Sequence, residues 1–210
     1  MTYNYLEAIG ARILSEANDL KRTVESMANE LGLDTGHLKN VISGNCSRSE
    51  AFHVIDKIEE TYPVDSSDLR LIQDDSEFGV LYFSAEKSID SSRIFNRKDK
   101  GGDKNPFYEY RDTAMSKLSP FKPEWIKELR IVNNNDPLNP DVAYNNGHFM
   151  HQTTFFYGPV NFYYEISGVK YCKEMNTGDS NYITPYIPHS FTSRDENSEA
   201  YIIAVTFGGD

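Results

Sequence analysis

From residue 3 to about residue 63, apolar residues recur at helical spacing. Leu6, Ile9 and Ile13 form one stripe, and Ala51, Val54, Ile55 and Ile58 form another, as expected of helices that each bury one face. Ser47 and Glu50 stand three apart just before the second stripe, the capping-box signature of a helix start. Between the stripes, the pattern predicts two short helices, Val24–Leu31 and Thr35–Ile42, joined by Gly32, Leu33 and Asp34. That is helix-turn-helix spacing.

After Pro63 the rhythm changes. A polar connector leads into short runs rich in Tyr, Phe, Val and Ile, punctuated by Gly, Pro and Asn, and such runs predict strands. They fall at 79–83, 107–113, 126–132, 149–157, 160–167, 169–175, 182–186 and 200–207. Many short strands separated by turns suggest a closed barrel or a sandwich. The expected fold class is α+β, with an all-helical helix-turn-helix domain over 1–64, a connector over 65–76 and a β-barrel over 77–210. Arg97 to Asn105 is a charged, glycine-bearing stretch that reads as a loop.

With 210 residues, a small domain followed by a larger one is a natural division. The chain is 39% hydrophobic and 25% charged, values of a folded soluble protein. No apolar run approaches the roughly 20 residues of a spanning helix, and the first residues lack the basic-then-apolar pattern of a secretory signal. A cytoplasmic protein without membrane partners is expected. Cys46 and Cys172 stand far apart and are expected to be free thiols. The net charge of −11 repels nucleic acid and anionic membranes, so an anionic ligand would need a local cluster of cations.

The charge balance also tests the helix-turn-helix. Residues 1–64 carry six basic and ten acidic side chains, and residues 35–42 carry only Lys39 as a base. Binding that relies on counterion release would be weak. The domain is expected to pack on the barrel or on a partner subunit. A transcription regulator with a ligand-sensing barrel is the competing class.

Candidate chemistry gathers in Asn145 to Gln152 (NNGHFMHQ) and Pro185 to Phe191 (PYIPHSF). Alternate residues of a strand share a face, so His148 and Gln152 can converge while His151 points away. His189 follows Pro188 about 37 residues downstream, a separation that can return a barrel strand to the same cavity. Two imidazoles and one oxygen donor resemble the facial triad of mononuclear iron(II) oxygenases, which keeps positions open for substrate and dioxygen. A neutral glutamine as third donor leaves more of the ion's charge uncompensated and favours an anionic chelating substrate. His151 is the substitute ligand if the strand bulges, and Glu165 and Asp179 are the nearest carboxylates. A metal-dependent isomerase or a sugar-binding barrel is a further reading of the same pattern.

These motifs, together with Phe107 to Ser116 (FYEYRDTAMS) and the closing Ala200 to Phe207 (AYIIAVTF), resemble the phosphonate-processing cupin iron oxygenases over nearly the whole chain. The resemblance implies a cupin, or double-stranded β-helix, barrel in which His148, Gln152 and His189 hold Fe(2+). Within that group an acid four residues after the first histidine, or six before the last, completes the site. Here those positions are Gln152 and Ile183, a combination similar to the methylphosphonate synthases. The resemblance assigns phosphonate binding to Asn145, Tyr110, Tyr108 and Lys21. Lys21 and Tyr110 are the catalytic candidates, and Lys21 closes over a site in relatives, in some cases from a neighbouring subunit. The family arginine lies eight residues before the tyrosine, where this chain has Gly102. Arg97 is therefore the expected phosphonate-binding cation, with Lys98 and Lys104 as substitutes.

The implied reaction converts 2-hydroxyethylphosphonate and O2 to methylphosphonate and bicarbonate. Because the substrate supplies the electrons that oxygen consumes, no 2-oxoglutarate is expected. Hydroxymethylphosphonate plus formate, or epoxide formation from a hydroxypropylphosphonate, are the alternative outcomes. A homo-oligomer is the expected assembly.

Overall fold

The computed structural model describes residues 4–98 and 101–208. The chain divides into two compact units, Met1–Asp75 and Ser76–Asp210.

The first unit holds four helices, α1 (Tyr5–Asp19), α2 (Val24–Glu30), α3 (Thr35–Ile42) and α4 (Arg48–Thr61). Each starts at a side chain that accepts from a first-turn N–H: Asn4, Thr23, Asp34 and Ser47 in turn. Such caps are typically worth about 1 kcal/mol each, and Glu50 completes the box at α4 by accepting from Ser47 N–H. The helical stripes meet in one core, where Ile9, Ile13, Met27, Leu38, Val41, Val54, Ile55 and Ile58 are fully buried. Gly10 permits the closest approach: a Cβ there would lie 2.0 Å from the Ile42 carbonyl oxygen. The start of the expected connector instead forms a 3-10 turn, Ser66–Asp68, and buries Leu69 against the helices.

Among the described residues the second unit contains α5 (Ala85–Asp90) and nine strands: β1 (Arg93–Lys98), β2 (Lys104–Asp112), β3 (Phe121–Glu128), β4 (His151–Tyr157), β5 (Val160–Ile166), β6 (Val169–Met175), β7 (Ser180–Ile183), β8 (His189–Ser193) and β9 (Tyr201–Phe207). They form two antiparallel sheets, β1-β2-β3-β9-β4-β7 and β6-β5-β8. Inward side chains of both sheets, among them Phe107, Ile126, Ile183 and Ile202 from the first and Val160, Phe162 and Phe191 from the second, share one core.

Several strands depart from the sequence pattern. The strand expected at 79–83 is absent. Phe78 and Gly79 both take positive φ, 53° and 83°, in a tight turn closed by hydrogen bonds between Glu77 and Val80. Ser84 then caps α5. The strand expected at 126–132 runs earlier, as Phe121–Glu128, because the N–H groups of Leu129 and Arg130 both turn to the Phe107 carbonyl. β1 was not expected, since it is largely exposed, whereas β8 starts at His189 directly after the turn expected at Pro188. Of the expected loop Arg97–Asn105, the flanks Arg97, Lys98, Lys104 and Asn105 are strand and Gly101 to Asp103 form the turn, while Asp99 and Lys100 lie outside the described residues. Among the described residues no helix is long and apolar enough to cross a membrane.

Candidate metal centre

Gly147 takes φ +75°, and a Cβ there would lie 2.6 Å from the Tyr186 carbonyl carbon. Only glycine fits this left-handed turn without strain. It leads through His148 into β4, which carries Gln152, and the Tyr186 N–H donates to the His148 carbonyl. Proline 188 ends the facing turn, and His189 opens β8 with its ring buried. The two segments are tied together at Asn145, whose Oδ1 accepts from Gly147 N–H and His189 N–H, both at 2.9 Å.

These contacts bring the expected donors together. The rings of His148 and His189 lie 5.2 Å apart, nearly perpendicular. Each Nδ1 sits 2.8 Å from a backbone carbonyl, Met150 for His148 and Ile187 for His189. A carbonyl only accepts, so each Nδ1 carries the proton and each Nε2 presents its lone pair. Gln152 Oε1 lies 3.0 Å from His148 Nε2, and the amide nitrogen donates to Thr154 Oγ1 at 2.8 Å. Three lone pairs without a proton between them fit a cation. Burial, followed by repulsion from His148 and Arg97, lowers the His189 pKa to about 4, so this ring is neutral at physiological pH and ready to ligate. Among the described residues no three His, Cys, Asp or Glu side chains gather at one point, because the third donor is an amide. The donor set fits a divalent ion held by two imidazoles and a weak oxygen, with positions left for exchangeable ligands.

A cavity of about 130 Å³ opens on this cluster, lined also by Arg97, Tyr110 and Asn145. Arg97 is the cation of the wall. Its Nε is buried without a hydrogen-bond partner, and its guanidinium lies 4.8 Å from the Phe95 ring centre. Burial, with Glu128 and Glu124 nearby, pushes the Tyr110 phenol up to about 12, so it stays a donor. With Oδ1 held by two backbone N–H groups, Asn145 turns its NH2 to His189 Nε2 at 3.0 Å, on the cavity side. Tyr108 lines the cavity too, but its hydroxyl accepts from Phe191 N–H and meets Ser190 Oγ, so it braces β8.

Other sequence candidates lie elsewhere. Lys98 and Lys104 pair at the exposed end of β1 and β2. His151 stacks between Tyr182 and Phe207 on the opposite face of β4. Asp179 accepts from Asn176 N–H in a turn. Ile183 is buried and pairs in register with Gln152. Lys21 belongs to the helical unit, just beyond α1, at φ +58°, a position where glycine commonly ends a helix. The sequence reading missed Glu124, Ile126, Phe191, Ala204 and Thr206 in the cavity wall. Strand alternation from Ile126 would have found Glu124.

No protein-family model matches the chain. It is 48% identical over 207 residues to the methylphosphonate synthase of Nitrosopumilus maritimus (strain SCM1), covering 98% of this chain and 44% of that protein. It is similar to the HEPD of Streptomyces albus, solved with substrate 2-hydroxyethylphosphonate and Fe(II) bound, with a TM-score of 0.86 and 40% identity over 98% of this chain and 45% of that one. The hydroxypropylphosphonic acid epoxidase from S. wedmorenis shares the fold, with a TM-score of 0.64 and 18% identity over 96% of this chain and 98% of that one. The chain thus spans about half the length of the curated relative and of the HEPD it matches.

Proposed function

We propose, from the similarity of the chain to a methylphosphonate synthase and to the HEPD, that it is an Fe(II)- and O2-dependent enzyme of the phosphonate-processing oxygenases, one that cleaves the C–C bond of 2-hydroxyethylphosphonate to methylphosphonate and bicarbonate. The reading takes the two sheets as a cupin barrel (77–210) that carries the site, and the helices of 1–64 as a helix-turn-helix domain turned to another use. Lys39 supports that last point, since it is paired with Glu25 at 2.8 Å and offers little to a phosphate backbone.

One observation carries the choice of reaction: Gln152 faces the imidazoles and its neighbour in register is Ile183. Neither position where a carboxylate completes the site in related oxygenases holds an acid. His148, His189 and Gln152 would hold Fe(II), and the ion would supply oxygen activation. The chain's own residues do the rest. A neutral third donor leaves the site more positive, which favours a dianionic substrate that chelates through phosphonate and hydroxyl oxygens. Arg97, the Tyr110 hydroxyl and the Asn145 NH2 all donate toward the cavity, and charge-assisted bonds to the phosphonate are the strong ones. The Asn145 NH2 that now meets His189 Nε2 is free to turn to a phosphonate oxygen when the ring is ligated. Tyr108 holds β8, and so His189, in place.

Lys21 is proposed as the cation that closes over the phosphonate, from the same chain or from a second copy, and excludes water. Its place at a helix end usually given to glycine supports a role beyond the helix. A homo-oligomer follows from donation between copies. Free Cys46 and Cys172 suit a cytoplasmic enzyme, where thiols stay reduced.

Substrate and O2 balance methylphosphonate and bicarbonate without a further reductant, so 2-oxoglutarate has no part. The test is anaerobic loading with Fe(II), then oxygen and 2-hydroxyethylphosphonate, with phosphorus NMR of the products. Methylphosphonate supports the reading. Hydroxymethylphosphonate would move the chain to the dioxygenase reaction, and absence of turnover would overturn the proposal.

A further inference from the structure

We propose that an apolar cleft between β5 and β7 is the route by which dioxygen reaches the metal cavity, an inference that rests on the oxygenase reading above. The cleft is open to solvent on one side, where the exposed Lys173 and Thr184 border it, offers about 320 Å³ and shares no lining residue with the metal cavity. It lies where β7 and β6, the edge strands of the two sheets, flank the core. Tyr182 and Ile166 are half exposed at its mouth, while Ile183 and Phe162 are buried at its floor.

The cleft is one side chain from the candidate metal donors at two points and from the cavity wall at a third. Ile183 pairs in register with Gln152. Tyr164 pairs with His189, whose Nδ1 donates to the Ile187 carbonyl behind it. The Phe162 ring stacks on Phe191 at 5.2 Å, and Phe191 lines the metal cavity. In each pair one residue faces the cleft and its neighbour faces the metal cavity.

The two openings suit different molecules. Arg97, Tyr110, Glu124 and Asn145 make the cavity wall polar and charged. A phosphonate bound across them occupies much of a space of about 130 Å³ and obstructs that approach for anything that follows. Dioxygen is small, uncharged and a poor hydrogen-bond partner. It partitions into apolar voids of the kind that stay dry and take up xenon. Side-chain excursions at Ile183 or Ile187 would let it pass.

Two measurements test this. Crystals of the metal-free protein pressurised with xenon are expected to show anomalous density among Phe162, Ile183 and Ile187; a cleft that takes up no xenon overturns the proposal. Ile166→Trp and Thr184→Trp add bulk at the exposed mouth, where folding is least threatened. Each is expected to lower kcat/KM for oxygen by about fivefold, with phosphonate affinity measured anaerobically unchanged. Xenon uptake with unaltered oxygen dependence in both variants overturns the route alone. A wild type that consumes no oxygen with the phosphonate overturns the activity and the route together.

Discussion

The side-chain oxygen of Gln152 lies 3.0 Å from Nε2 of His148, and the amide nitrogen is anchored on Thr154 Oγ1. With His148 Nδ1 committed to the Met150 carbonyl, no proton stands between the two acceptors. A threonine hydroxyl can donate as well as accept. Rotating the amide by half a turn would therefore exchange a cation-binding arrangement for one in which Gln152 donates to His148. A bound cation selects the first.

Thr154 is fully buried, so Thr154→Val keeps its shape and removes only the anchor. Metal affinity should fall by about tenfold, the low end of what outer partners of ligands contribute. A chelator-competition titration with Fe(II) or Co(II) measures it. Unchanged affinity would mean that Thr154 does not orient the amide.

Gln152→Glu replaces the amide by a carboxylate at the same point. Metal should bind more tightly, and the substrate dianion more weakly, because the site has lost a positive charge. Anaerobic calorimetry with 2-hydroxyethylphosphonate checks the second effect.

Asn145→Ala removes the acceptor shared by Gly147 N–H and His189 N–H together with the NH2 on the cavity side. Loss of hydrogen bonds near charged groups, about 1.5–3 kcal/mol each, predicts a large fall in phosphonate affinity. Metal affinity should fall as well, since His189 loses its brace. Both are read by titration, and a variant that binds substrate like wild type would contradict the assignment.

Gly147→Ala should cost at least about 1 kcal/mol through its backbone angle alone, and more because the new methyl meets Tyr186. The damage falls between the two ligand-bearing segments, so metal uptake should drop more than global stability. Thermal melts with and without metal separate the two.

Glu128 is buried with both carboxylate oxygens unpartnered, and desolvation pushes its pKa well above the ordinary carboxylate range. The folded state therefore holds a proton that the unfolded chain releases near pH 4.5. Its contribution to stability is lost as pH rises from there toward the folded-state pKa, at up to about 1.4 kcal/mol per pH unit. Urea unfolding at several pH values should show a flatter alkaline decline in Glu128→Gln than in wild type. Equal slopes would mean that the carboxyl finds a partner.

Local signals were legible where one rule acts alone. The helices α3 and α4 follow from apolar spacing and caps, and β5 and β6 from a hairpin whose residues match the strand preference closely. β1 was hidden because its exposed residues carry no alternation, and the strand expected at 79–83 was misread because Phe78 and Gly79 enter a tight left-handed turn instead. At the site, the residue types and spacing singled out His148, Gln152 and His189, but His148 precedes β4 across a bend at Phe149 and Met150, so it meets Gln152 through the turn and not through strand alternation. Glu124 and the brace role of Tyr108 were missed because each depends on which strand lies next to which.

By itself the sequence determined the candidate donor types, an amide where an acid might stand at position 152 and the rhythm of each half, since these reside in residue identity and short-range spacing. Only the tertiary structure decided that Asn145 ties the two histidine-bearing segments together and that Ile183 stands beside Gln152. Those relations join residues far apart in the chain, and they exist only once strands have paired and side chains have packed.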